Sequence, residues 1–230
     1  MSPPVPREII ELSHALRLVP VVEFAASSYA RETHASPEGS AQEMPEAWRR
    51  YWTRSLADSG LEGLEPIAPA SPLVPLSRLT EPHVLRALLG VHLALLSGEE
   101  DETPDGLLPL SGGQALLDGG RVLLVPGCCA DLGNLGSWEA TARRECDTFW
   151  MGHPLVSARW ESPWVRLQDE ASTEGGPARE WRLAPPAILR AAREARTEQE
   201  AFALRLEPLV AERFPAESVH EIASLLAGLR

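Results

Sequence analysis

Apolar residues recur at helical spacing near both ends of the chain and at strand spacing in between. Ile9, Ile10, Leu12 and Leu16 predict a short amphipathic helix over 7–18. Val19–Phe24 is rich in β-formers but holds Pro20, which predicts an edge strand or strand start. Trp48, Tyr51, Trp52 and Leu56 mark one face of a helix that opens at Pro45 and stops near Asp58-Ser59-Gly60. Prolines at 66, 69, 72 and 75 predict a connector without regular structure. Thr80-Glu81-Pro82 then supplies a capping hydroxyl, an early acid and a first-turn proline. The helix it starts carries Val84, Leu85, Leu88, Leu89, His92, Leu95 and Leu96 on one broad face, so it should be buried and end at Ser97-Gly98.

The pattern changes after Leu107. Gln114–Leu117, the turn Asp118-Gly119-Gly120 and Arg121–Val125 predict a β-hairpin, since the glycines supply the positive φ of a tight turn. A short helix capped by Ser137 is expected to Glu145, then a strand over Thr148–Met151. A second hairpin follows, Val156–Trp160 with Trp164–Gln168, and a last strand at Trp181–Leu183. Helices are predicted over 187–207, with Arg/Glu pairs outward, and from Ser218 to Leu229. The expected fold is α+β. A mostly antiparallel sheet over about 112–183 is packed by N-terminal and C-terminal helices, in a single domain spanning 1–230 with 184–230 as a helical C-terminal extension.

Composition narrows the function. All 21 basic residues are arginine, which with the abundant Ala, Pro, Leu and Gly reads as GC-rich bacterial coding bias and not as phosphate recognition. A formal charge of −12 argues against nucleic acid and anionic membrane as partners. Three cysteines make no disulfide framework, the first ten residues lack the basic and apolar regions of a signal peptide, and no apolar run reaches the ~18 residues of a spanning helix. A cytoplasmic protein is expected.

The chemistry-bearing residues crowd into 121–153, which holds every cysteine and the sole asparagine. Cys128, Cys129, Cys146 and His153 are one candidate set, for zinc, but adjacent cysteines depart from the usual two-to-four-residue ligand spacing. Cys128 or Cys129 as nucleophile, with His153 as base and Asp131 or Asn134 as orienter, is a second. The third is structural: Gly127, Gly133 and Gly136 shape a turn, Asp131 and Asn134 bond nearby amides, and Trp138 pins the short helix. The structural reading asks least, so no cofactor, no metal and no catalytic set are expected. The stretch is functional only if its thiols are open to solvent. No phosphate-binding glycine loop, HExxH, GxSxG or EF-hand loop occurs.

The run DGLLPLSGGQALLDGGRVLLVPGCCADLGNLGSW, followed by FWMGHP, resembles the sheet region of SMI1/KNR4-like proteins through its hairpin pattern, PGCC-x-DL and GHP. That group includes immunity proteins that neutralise secreted or contact-delivered toxins. The resemblance spans residues 105–154 and implies an α+β protein that binds a partner protein. The expected function is therefore a non-catalytic, immunity-type binding protein. Trp138, Asp131, Asn134, Trp160 and Trp164 are its candidate contacts, because tryptophan is enriched at interfaces. The alternative is a small thiol-dependent enzyme using Cys128 or Cys129 with His153 and Asp131. A small-molecule pocket lined by tryptophans is a third possibility.

Overall fold

The computed structural model describes residues 8–12, 15–41, 43–96, 106–146, 149–153, 156–169 and 179–229. Its elements are, in chain order, β1 (Glu8–Leu12), β2 (Leu16–Glu23), α1 (Ala26–Tyr29), α2 (Pro45–Ala57), β3 (Leu73–Pro75), α3 (Pro82–Leu96), β4 (Gly112–Asp118), β5 (Arg121–Leu124), α4 (Leu135–Arg143), β6 (Val156–Glu161), β7 (Trp164–Asp169), β8 (Arg179–Leu183), α5 (Pro185–Val210) and α6 (Val219–Leu226). The fold is α+β, with mostly antiparallel sheets. The chain divides into two compact units, Met1–Pro20 with Gly112–Thr197 and Val21–Ser111 with Glu198–Arg230.

The first unit is built on a sheet of order β1-β8-β7-β6. Period-two alternation gives it an apolar face of Ile10, Leu12, Val156, Ala158, Trp160, Val165, Leu167, Trp181 and Leu183. Against that face pack Leu135, Trp138 and Ala142 of α4 and Ala187, Ile188, Ala191, Ala192 and Ala195 from the start of α5. Those alanines, at helical spacing, let the helix approach closely. The opposite face is an ion lattice. Arg166 meets Glu180 at 2.7 Å and Glu161 at 3.7 Å, while Arg182 reaches Glu180 and Glu11 at 3.6 Å each. The hairpin β4–β5 turns on Gly119 and Gly120, both at positive φ, and Gly119 donates its N–H to the Ala15 carbonyl.

The helix expected over 7–18 is instead β1 and the start of β2. Ile9, Ile10 and Leu12 suit either element, and parallel pairing of Glu8–Leu12 with Arg179–Leu183 decides for the strand. Pro20 falls inside β2, which begins earlier than predicted, at Leu16. Helix α4 also starts early. Asp131, not Ser137, is the capping residue, its Oδ1 accepting the Gly133 N–H at the head of a short 3-10 turn that leads into α4. The strand expected at 148–151 has no ladder pairing over its described part, and the chain there meets the segment opposite through the Met151 carbonyl and a bridge at His153.

In the second unit, Val21–Glu23 pairs antiparallel with β3, which interrupts the proline-rich connector. Helix α3 buries Val84, Leu85, Leu88, Leu89 and His92, but Leu95, expected on the same face, is 69% exposed, so the buried stripe ends at His92. His92 Nε2 lies 2.9 Å from the Leu108 carbonyl, and burial pushes its pKa down, so the ring is a neutral core histidine. The end expected for that helix at Ser97-Gly98 and the acidic run after it lie outside the described residues. Gln199, Phe202, Ala203, Leu206 and Val210 continue the buried face of α5, and Gln199 donates to the Ala227 carbonyl beyond α6.

Asp58, just past α2, collects the backbone N–H groups of Arg31 and Glu32, the His34 ring and the Ser59 hydroxyl. The Arg31 N–H first, then the Glu32 N–H, the His34 ring and the Ser59 hydroxyl, hold its carboxyl well below the usual range. A depressed carboxylate stabilises the fold in full above its unfolded pKa of about 4 and loses that contribution as pH falls below it. Asp58→Asn should therefore melt earlier than wild type at neutral pH, with the gap closing on acidification below about pH 4. Melting curves across pH test this, and a gap independent of pH would refute it.

Candidate functional site

After β5, Val125-Pro126-Gly127 leads to the two cysteines, and the chain returns opposite them through Met151, Gly152 and His153. The two arms are tied backbone to backbone. Cys128 and His153 exchange N–H···O bonds of 3.0 Å each way, and the Gly127 N–H donates to the Met151 carbonyl at 2.6 Å. Beneath them Met151 and Phe149 belong to the core, Phe149 meeting the Trp138 ring edge to face at 4.7 Å. The arms are thus fixed on the same packed base as α4.

Two glycines allow this approach. A Cβ on Gly127 would lie 2.8 Å from the His153 nitrogen and closer still to its carbonyl. One on Gly152, whose φ is +83°, would lie 2.6 Å from the Gly127 oxygen. Carbon atoms cannot approach so closely, so both positions exclude every side chain.

Above this clamp the side chains converge. Cys128, Cys129 and His153 are all exposed, and their sulfur and ring-nitrogen atoms lie within 4.8 Å of one another. Neighbouring residues in extended backbone point to opposite sides, which is the objection to adjacent ligands. Cys129 removes it by taking a left-handed conformation, φ +66°, that turns its side chain toward the same side as Cys128. The Trp150 ring, 41% exposed, stands edge-on to the His153 ring at 5.0 Å.

The other predicted site residues part company with this cluster. Cys146, half-buried, is not in the converging group and shares a hollow with Thr141 and Trp160. Asp131 spends its carboxylate on the Gly133 amide, and burial raises its pKa. Asn134 is buried beside Gly113. Among the described residues neither bonds His153, so the nucleophilic reading lacks its orienter. Trp138 is 1% exposed and cannot meet a partner. Trp160 is half-buried, its indole N–H bonded to the Thr141 carbonyl and its ring covered by the Arg144 guanidinium at 3.7 Å. Trp164 is half-buried at the β6–β7 turn. Trp150 and Gly152, which the sequence reading did not count among the site residues, are the residues that frame the site. The only sequence signal for Gly152 is its place directly before the histidine.

Among the described residues no helix is long and apolar enough to cross a membrane. No protein-family model, curated protein or solved structure matches the chain.

Proposed function

We propose that the protein binds one zinc ion at its surface through the Cys128 and Cys129 thiolates and the His153 imidazole. The convergence of these three donors on a clamped backbone carries the reading. Zinc takes sulfur at about 2.3 Å and imidazole nitrogen at about 2.0 Å, which puts tetrahedral donors roughly 3.5–3.8 Å apart. The donors lie within 4.8 Å of one another on three exposed side chains, each with rotatable bonds through which to draw closer. Two thiolates neutralise the dication, and softness favours zinc or copper(I) over calcium or magnesium. Three protein ligands leave a fourth position for an incoming donor, the arrangement of zinc sites that bind or activate a further ligand.

The test is titration of the reduced protein with cobalt(II) as spectroscopic stand-in, followed by displacement with zinc. One equivalent should give thiolate-to-cobalt charge-transfer bands. Losing a residue that merely supports a ligand costs about 10–100-fold in affinity. Cys128→Ser, Cys129→Ser and His153→Ala should each cost at least that much, and Cys146→Ser nothing. Binding should also weaken with acid, because the ligands must shed protons. Equal affinity in wild type and all three variants would sink the proposal.

A second reading, immunity-type capture of a partner protein, is favoured by Trp150 and Val125, two of the exposed large apolar residues, which flank the cysteines along the same two arms. A co-purifying partner lost in Trp150→Ala but kept in Cys128→Ser would support partner binding independent of metal.

A further inference from the structure

Charge is unevenly shared between the two units. The second, residues 21–111 and 198–230, holds twenty of the 33 acidic residues and nine of the 21 arginines, so nearly all of the chain's −12 lies there. That unit also contains a hollow of about 340 Å³ walled by Trp48, Tyr51 and Trp52 and floored by Ala25, Ala41 and Ala70. The aromatic residues fall at i, i+3 and i+4 on α2 and so share one face. The Trp48 and Tyr51 rings meet at 89°, with centroids 5.7 Å apart, forming a corner, and the alanines leave open the space that larger side chains would fill.

The hydrogen-bonding edges of both indoles are already used. Trp48 Nε1 donates to the Gly39 carbonyl at 3.0 Å and Trp52 Nε1 to the Phe24 carbonyl at 2.7 Å. The hollow therefore offers a ligand aromatic surface and methyl contacts, with the Ser27 and Tyr51 hydroxyls as its polar side-chain groups and no charged side chain in its lining. A primary ammonium carries three N–H groups to satisfy there, more than two side-chain hydroxyls supply. A quaternary ammonium has no N–H to satisfy, is attracted by aromatic faces, and is drawn in by the negative field of the unit.

We infer that this hollow binds a quaternary ammonium group, on a small choline-like molecule or on a trimethylated lysine side chain. The inference is independent of the zinc reading.

Intrinsic tryptophan fluorescence can follow titration of the full chain with three probes: choline, its uncharged carbon isostere dimethylbutanol, and a short trimethyl-lysine peptide. Cation–π attraction predicts that choline binds about tenfold more tightly than the isostere. Rising salt should weaken choline and leave the isostere unaffected. A peptide that binds more tightly than choline assigns the protein-borne source, and the reverse order assigns the small molecule. Trp48→Leu keeps apolar bulk but removes a π face, so it should cost choline about tenfold and the isostere little. Should that variant fail to fold, Tyr51→Leu, at the other half-buried ring of the corner, makes the same comparison. Equal affinity for choline and its isostere, or no response to any probe, overturns the inference.

Discussion

Gly152→Ala should abolish metal binding and destabilise the first unit by about 3 kcal/mol or more. Two independent costs add. A non-glycine residue held at φ +83° costs of order 1–3 kcal/mol. The new Cβ also meets the Cys128 and Gly127 carbonyl oxygens, so the arms must part. Parting them breaks the paired bonds between Cys128 and His153, each worth about 1 kcal/mol. The same movement carries His153 away from the thiols. Gly127→Ala should behave alike, because its Cβ would strike the His153 backbone from the other side. Cys128→Ser makes the contrast: affinity falls while the melting temperature holds, since the side chain is exposed and its backbone bonds remain. Gly136→Ala is the control. It lies inside α4 with no atom within 4 Å of an added Cβ, and should stabilise by about 0.5–1 kcal/mol. Thermal melts paired with cobalt titration separate these outcomes. A Gly152→Ala protein that binds cobalt like wild type would disprove the clamp.

Much of the fold can be read from spacing alone. The hairpins β4–β5 and β6–β7 and the helices α2, α3 and α5 follow from period-two and period-3.6 patterns with turn or proline signals at their ends. β1 does not, because five residues fit either period and its partner β8 lies at the far end of the sheet region. The candidate site is half legible. Its three donors stand out by type, but adjacent cysteines argue against a shared ion until the φ of Cys129 is known. Nothing in the spelling of Gly127 and Gly152 says that they meet across two arms. Trp138 and Asn134 misled in the other direction, since tryptophan and asparagine suit a surface and a core junction equally, and only packing places them inside. Net charge, likewise, is a property of the whole chain, and its concentration in one unit emerges only once the units are known.

The ion lattice on the outer face of the β1-β8-β7-β6 sheet carries the other large effect. Glu180 lies on that face, yet its side chain is only 4% exposed, against 19% for Arg166, which meets it at 2.7 Å. A buried carboxylate loses hydration that only close, well-aligned partners replace, and removing one partner typically costs about 3–5 kcal/mol. Arg182 remains 3.6 Å from Glu180 and softens the loss, so Arg166→Ala should cost about 3 kcal/mol in urea unfolding. The cost comes from the stranded carboxylate and not from the missing attraction. Arg166→Met combined with Glu180→Leu should therefore recover most of the stability or exceed wild type, although it removes more charge than the single change. If the single variant loses under about 1 kcal/mol, the pair is behaving like a solvated surface bridge. If the double variant is the less stable of the two, the lattice contributes net stability to the sheet, and the desolvation argument fails.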